Sequence, residues 1–339
     1  MMNFLIVIAI IIGLSIVLAA HEFGHFLVAK KSGIGVEEFG IGIPPRIFGK
    51  KIGNTIYSIN AIPFGAFVKI DSDNPEDKNS FNSKPLRIRV LVMLGGIIMN
   101  FILGWLLMSI VFMIGSSENG IFIATVSPDS PAAIAGIKSN DKILNFFEIE
   151  DFQKFTDSHA GEKISLEIQR GKEKLNFEVT PRANPPKGEG PLGIALVKAE
   201  PIPKKSFFPA LWTGLKTASN VFYQIFYVLF YLIKSAFSGQ NVLTYLSGPV
   251  GAVKIGTQFA YLGFSFVIRI FALISINLAA FNLIPFPALD GGRLWFFLIE
   301  KIKKSPVSQK TQNLVDSLGF SVLMVLSIII LVKDVMNLF

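Results

Sequence analysis

The sequence predicts a polytopic α-helical membrane protein of about four transmembrane helices, with a β-rich domain inserted among them and interfacial helices after that domain. Three observations carry this reading. Of 339 residues, 51% are hydrophobic and only 17% charged, and the mean hydropathy is +0.54, too apolar for an ordinary soluble domain. Four stretches are long enough, or nearly so, to cross about 30 Å of hydrocarbon at about 1.5 Å per helical residue. A stretch from about Asn119 to Pro181 instead alternates apolar and polar residues between short turns, the pattern of half-buried strands.

The apolar stretches are Phe4 to Ala29, Val90 to Ile114, a third around Ile270 to Phe286, and Ser317 to Val332. No Lys or Arg precedes Lys30, so the first stretch lacks the basic n-region of a cleaved signal peptide and is expected to remain as a span. Basic residues gather between Lys30 and Arg89, and again at Arg293, Lys301, Lys303, Lys304 and Lys310. By the positive-inside rule both loops are cytoplasmic, which puts the N-terminus and the 116–206 region outside. The net charge of +8 flanks apolar spans and forms no aromatic-interleaved stripe, so it points to lipid headgroups and not to nucleic acid. The expected organisation is a first membrane part over residues 1–115, an outer β-rich domain over 116–182, a Pro-rich linker over 183–206, interfacial or re-entrant helices over 207–260, and a second membrane part over 261–339.

Chemistry concentrates at two places. His21-Glu22-Phe23-Gly24-His25 matches H-E-x-x-H, which sets two His side chains on one face of a helix where they can share a tetrahedral ion, with Glu22 beside them as a base. Ionisable groups at membrane depth are costly unless they pair, face a polar cavity or bind something. With no Cys in the chain, a metal must be held by His and carboxylates. The only other His, His159, falls in the β-rich region and reads as a surface residue. Catalytic zinc takes three protein ligands and one open position, so the third ligand should be an acid. Asp290, just beyond the helix-ending Pro285 and Pro287, is the best placed, although an Asp there also suits a cap for the next helix.

These motifs resemble those of the site-2 protease family, and the resemblance covers nearly the whole chain. Besides H-E-x-x-H and the run from Asn282 to Gly291, it includes Phe64-Gly65-Ala66-Phe67-Val68-Lys69, Gly95-Gly96-Ile97-Ile98-Met99-Asn100 and Ser247-Gly248-Pro249-Val250-Gly251. It departs from the family pattern at Ala66, where Gly is usual, and at Ile97, where Pro is usual. The resemblance implies Zn²⁺ as cofactor, His21, His25 and Asp290 as its ligands, Glu22 as the catalytic residue and Asn282 as a substrate-positioning residue. It further implies a multi-pass protein of the bacterial cytoplasmic membrane that makes the second cut in regulated intramembrane proteolysis, on anti-sigma factors or remnant signal peptides. Ser130-Pro131-Ala132, Ala135-Gly136-Ile137 and Asn140-Asp141-Lys142-Ile143-Leu144 resemble a PDZ domain of the bacterial protease type, present once and with Asn140 where Gly is usual. Such a domain would capture peptide C-termini or screen out bulky ectodomains.

Geometry then constrains the remaining pieces. Asp290 can meet His21 and His25 only if the third span runs inward like the first, so 207–237 should not cross the membrane. A substrate helix hides its carbonyls in backbone hydrogen bonds and must be unwound before cleavage. The runs Thr55 to Ile59 and Phe67 to Ile70, separated by Asn60 to Ala66, read as a hairpin whose edge could hold an extended substrate, with Gly40, Gly42 and Gly65 giving close backbone approach. Gly96, Asn100 and Gly104 recur at i, i+4 and i+8 and read as a stripe for helix packing. Two rival readings are a catalytically inactive PDZ scaffold, disfavoured because all four chemical residues are present, and a transporter, disfavoured because the spans show no repeat.

Overall fold

In the computed structural model the protein is described over residues 2–71, 77–186, 188–238 and 263–336. It divides into two compact units, one of Met1–Ile110, Phe207–Lys254 and Ile268–Phe339 and one of Val111–Ser206 and Ile255–Val267. The elements in chain order are α1 (Met2–Lys31), β1 (Val36–Ile52), β2 (Thr55–Ile70), α2 (Leu86–Ile114), β3 (Gly120–Val126), α3 (Pro131–Ala135), β4 (Lys142–Ile143), α4 (Ile149–Ser158), β5 (Ile164–Arg170), β6 (Glu173–Val179), β7 (Ile194–Ala199), α5 (Phe207–Phe237), α6 (Phe264–Leu283), α7 (Asp290–Lys303) and α8 (Gln309–Met336). The chain is a polytopic membrane protein with a β insertion. Among the described residues four helices are long and apolar enough to cross a membrane: Ile10–Lys31 within α1, all of α2, all of α6, and Gln309–Asp334 within α8.

In the first unit α2 is the axis. It carries no charge after Arg89 and runs unbroken through Ile97, the position where a Pro would have removed a hydrogen bond. α1 meets it backbone to backbone at Gly24 and Gly95, where a Cβ on Gly95 would stand 2.7 Å from the Gly24 carbonyl oxygen. α6 lies along α2 at Gly104, which faces Ala272 and Ile276, and Ser275 Oγ donates to the Asn100 carbonyl at 2.8 Å. α5 is a single helix of 31 residues held to α2 by Trp105 Nε1 donating to the Leu211 carbonyl at 2.9 Å. It is not among the four helices apolar enough to span. Its exposed Phe208, Trp212, Tyr223, Tyr227 and Phe230 suit the membrane–water boundary. The expected Ser247–Gly251 element and the rest of 239–262 lie outside the described residues.

The sheet between α1 and α2 corrects one expectation. Thr55–Ile59 and Phe67–Ile70 are not the two arms of a hairpin: both pair with β1, on opposite sides, so that Gly40 stands between Ser58 and Phe67. The tight turn is Gly53-Asn54, a two-residue connection of the kind hairpins favour, and β2 curls around the first half of β1. The lateral order is therefore 66–70, 36–43, 55–62, 46–52. Ser15 of α1 fastens the bend, its hydroxyl bonding the Pro63 carbonyl and accepting from Gly65 N–H at 3.3 Å. Ile41, Ile47, Phe48, Ile59 and Ile62 leave the sheet with an exposed apolar surface.

The second unit is a five-stranded antiparallel sheet in the order β6-β5-β4-β3-β7. Ile121, Ile123, Ile143, Phe152, Leu166 and Ile168 fill its core. Ser130 caps α3 by accepting from Ala133 N–H, with Pro131 in the first turn and Gly136 left-handed at the end. Asn140 adopts φ +73°, a conformation that Asn tolerates better than most residues. β7 is an edge strand, and between it and α4 runs a groove of ≈ 830 Å³ whose walls include Phe152, Thr156, Leu192, Ile194, Leu196 and Arg182.

Candidate metal centre and catalytic cavity

His21 and His25 stand one turn apart on α1, and Asp290 opens α7. The acid is aimed by the turn before it. Pro285 and Pro287 stop α6 from continuing, Leu289 N–H closes on the Phe286 carbonyl at 3.2 Å, and Ala288, at φ +71°, donates its N–H to Asp316 Oδ1 of α8 at 3.3 Å. Gly291 and Gly292 lie directly under the Ile284 and Phe286 carbonyls, where a side chain would not fit.

The result is a triangle of ligand atoms. His21 Nε2 is 3.0 Å and His25 Nε2 3.2 Å from Asp290 Oδ2, and the two Nε2 atoms are 3.1 Å apart. Among the described residues these three form a group whose ligand atoms lie close enough together to hold a metal ion. Whether they fit zinc follows from their protons. His25 Nδ1 is 2.7 Å from the Val92 carbonyl oxygen, which can only accept, so the ring proton sits on Nδ1 and Nε2 presents a lone pair. Asp290 Oδ2 is buried and receives no hydrogen bond although both imidazole nitrogens face it. Lone pairs crowded together at these distances repel unless a cation lies among them. Tetrahedral zinc with bonds of about 2.0–2.1 Å separates its ligand atoms by about 3.3 Å, close to the triangle seen here.

Glu22 points into the same cavity without joining the triangle. Its Oε2 accepts the Val68 N–H at 3.2 Å, so this carboxylate touches the outer edge of strand segment 66–70. The cavity, ≈ 800 Å³, is lined by the metal residues, Glu22, Val68 to Ile70 and, from α8, Asp316, Ser317 and Phe320. Asn282, half-buried near the end of α6, is not on this lining. Gly40, Gly42 and Gly65 do not line it either: Gly40 packs against the Phe67 ring, Gly42 turns the strand at φ +81°, and Gly65 turns β2 at φ +74°. Sequence reasoning passed over Val92, which acts through a backbone carbonyl and leaves no side-chain signal. It read Gly96 as helix packing alone, although a Cβ there would stand 2.5 Å from His25 Nε2 and 2.7 Å from His21 Cε1, and it passed over Asp316, an acid near the start of an apolar helix.

An H-E-x-x-H helix and a distant Asp converging inside a bundle of apolar helices define the class of membrane-embedded zinc metalloproteases. The sequence model described as Peptidase family M50 matches residues 9–326. A Clostridium perfringens protein whose name contains the words zinc metalloprotease is 35% identical over 334 residues, covering 96% of this chain and 97% of that protein. The zinc metalloproteases RasP of Shouchella clausii and Geobacillus kaustophilus are 28% identical over 415 residues and 26% over 406 residues, with 96% and 94% of this chain covered and 97% and 95% of theirs. The chain belongs to peptidase family M50, the site-2 proteases.

Proposed function

We propose that His21, His25 and Asp290 hold a catalytic Zn²⁺ with which Glu22 hydrolyses peptide bonds in or near transmembrane segments of other membrane proteins. The observation that carries this is the triangle of ligand atoms from His21, His25 and Asp290, with a carboxylate beside it that already contacts a strand edge. When bound, the ion supplies Lewis acidity to a peptide carbonyl and makes water a nucleophile near neutral pH. Glu22 takes the proton of the attacking water and later returns it to the leaving amine. An unwound substrate adds as a further strand along 66–70, whose outward Val68 N–H is exchanged from Glu22 to a substrate carbonyl, freeing the base as the substrate seats. Asn282 steadies that segment from the end of α6, and Gly40, Gly42 and Gly65 give the sheet the curl that brings its edge to the site.

The basic loops favour a bacterial cytoplasmic membrane orientation with the cavity toward the inner side and the β insertion outside. That insertion is read as a PDZ domain, and the groove between α4 and β7 supports capture of a peptide C-terminus by strand addition to β7, with apolar walls for its last side chain. A protein so built makes the second cut in regulated intramembrane proteolysis, after another protease has exposed that terminus. The inactive-scaffold alternative draws no support, since ligands and base are complete. The decisive comparison is wild type against Glu22→Gln on a model transmembrane substrate. The variant should keep about one zinc per chain and lose at least about a hundredfold in cleavage, as expected when a general base is removed. Loss of zinc in Glu22→Gln would mean that this residue is a ligand and not the base.

A further inference from the structure

We propose that Asn100 is a positioning residue of the metal site, its side-chain oxygen accepting the Nδ1 proton of His21 and so holding that ring with Nε2 toward the ion. The inference rests on the zinc reading above. His21 Nε2 is one corner of the ligand triangle, so its lone pair must be free and the ring proton must sit on Nδ1. His21 is only partly exposed, and an Nδ1–H turned toward α2, away from the cavity, needs an acceptor there. The group that meets it is the carboxamide of Asn100, whose Nδ2 is 3.3 Å from His21 Nδ1. Two donors cannot satisfy each other. The Asn100 oxygen, meanwhile, is buried without a partner, and the residue is fully buried. A half-turn of the carboxamide resolves both faults: Oδ1 takes the place of Nδ2 and receives the His21 proton.

The position is built for the task. Val92, Gly96 and Asn100 fall at i, i+4 and i+8 on one face of α2, and each serves the imidazoles: the Val92 carbonyl receives His25 Nδ1, Gly96 leaves room for both rings, and Asn100 reaches His21. Ser275 of α6 pins the α2 backbone at this level through the Asn100 carbonyl. Gly96 and Asn100, which the sequence pattern assigns to helix packing, thus also support the two imidazoles.

The test uses the full-length protein in detergent, with zinc affinity measured by chelator competition and cobalt substituted to read the ligand field. Asn100→Leu keeps the branched shape and removes the acceptor, while Asn100→Asp keeps an acceptor. Zinc affinity should fall about ten- to hundredfold in Asn100→Leu, the usual cost of losing such a partner, with an altered cobalt spectrum. Asn100→Asp should return to within a few-fold of wild type. Wild-type affinity in the Leu variant would overturn the proposal, as would an equal loss in Leu and Asp variants, because that marks Asn100 as packing alone. If the Leu variant does not fold, Asn100→Ala takes its place in the same comparison with Asp. A wild type that binds no zinc would overturn the metal site itself, and this inference with it.

Discussion

Adding one methyl group at Gly96 tests the site geometry more sharply than removing a ligand does. By propensity, Gly96→Ala should stabilise α2 by about 1 kcal/mol, since Gly is among the poorest residues in a helix interior. By position it should destroy the metal centre. The new Cβ would lie 2.5 Å from His25 Nε2, 2.7 Å from His21 Cε1 and 2.8 Å from His21 Nδ1, so reaching an ordinary carbon–nitrogen contact of about 3.5 Å requires the rings to retreat by about 1 Å. Zinc bonds of about 2.0–2.1 Å do not tolerate such a move, and the 2.7 Å contact of His25 Nδ1 with the Val92 carbonyl would be lost with it. A misplacement of about 1 Å costs about a hundredfold in rate even when the metal stays. Gly104→Ala, two turns further along α2 against Ile276 and Ala272, is the control for crowding between helices. The assay is zinc per chain by elemental analysis and cleavage of a model transmembrane substrate, for both variants at matched membrane insertion. Gly96→Ala should lose both zinc and cleavage, whereas Gly104→Ala keeps its zinc. Gly96→Ala with one zinc per chain and normal turnover would show that the rings are not where the structure puts them.

The other expectations follow from the same geometry. Asp290→Asn replaces an anionic ligand by a neutral amide, so bound zinc should drop below about a tenth per chain by elemental analysis; retention with normal turnover would point to another acid. Val68→Pro removes the strand N–H that faces Glu22. A substrate carbonyl seating there would be left without its donor, a loss of about 1–3 kcal/mol, so cleavage should fall about five- to hundredfold with zinc unchanged, and undiminished activity would take the strand out of the mechanism. Single Cys residues at the exposed Lys78, Ser158 and Lys303 of this Cys-free chain should react with an impermeant thiol reagent from inside, outside and inside respectively. Outside labelling at position 303 would separate Asp290 from the two His residues and refute the site.

The chemical residues were legible in the sequence because each is a polar group where polarity is expensive. An H-E-x-x-H motif in an apolar helix and an acid behind two prolines stand out against their surroundings. The apolar spans were legible too, although the helices begin ahead of the apolar runs, α2 at Leu86 and α8 at Gln309, because the turns before those runs carry Arg87 and Arg89 in one and Lys310, Gln312 and Asp316 in the other. The sheet was not. Val36 to Ile43 includes two acids and two glycines and ends at Pro44-Pro45, so its pattern did not announce a central strand, while the extended Asn60–Ala66 run looked like a turn. Gly96 and Asn100 were visible as a stripe but assigned to packing alone, because spacing shows that residues share a face and not what they face.

That last ambiguity has a physical root in how the site is assembled. α1 approaches α2 closely only because Gly24 and Gly95 carry no side chains, and the same closeness brings His21 and His25 within reach of the Val92 carbonyl, Gly96 and the Asn100 amide. In a membrane, helices gain little from burying apolar surface against one another, so close backbone contact and interhelical hydrogen bonds must hold them. A residue that lets helices approach is therefore also one that sets the distance between ligands carried on them. The Asp290 turn obeys the same logic: Gly319 of α8 lies against Pro287, Asp316 accepts the Ala288 N–H, and Gly291 and Gly292 fit beneath carbonyls. Packing and catalysis are thus one set of contacts at this centre, which is why small substitutions at its glycines should reach the zinc while large ones on the exposed face of α5 should not.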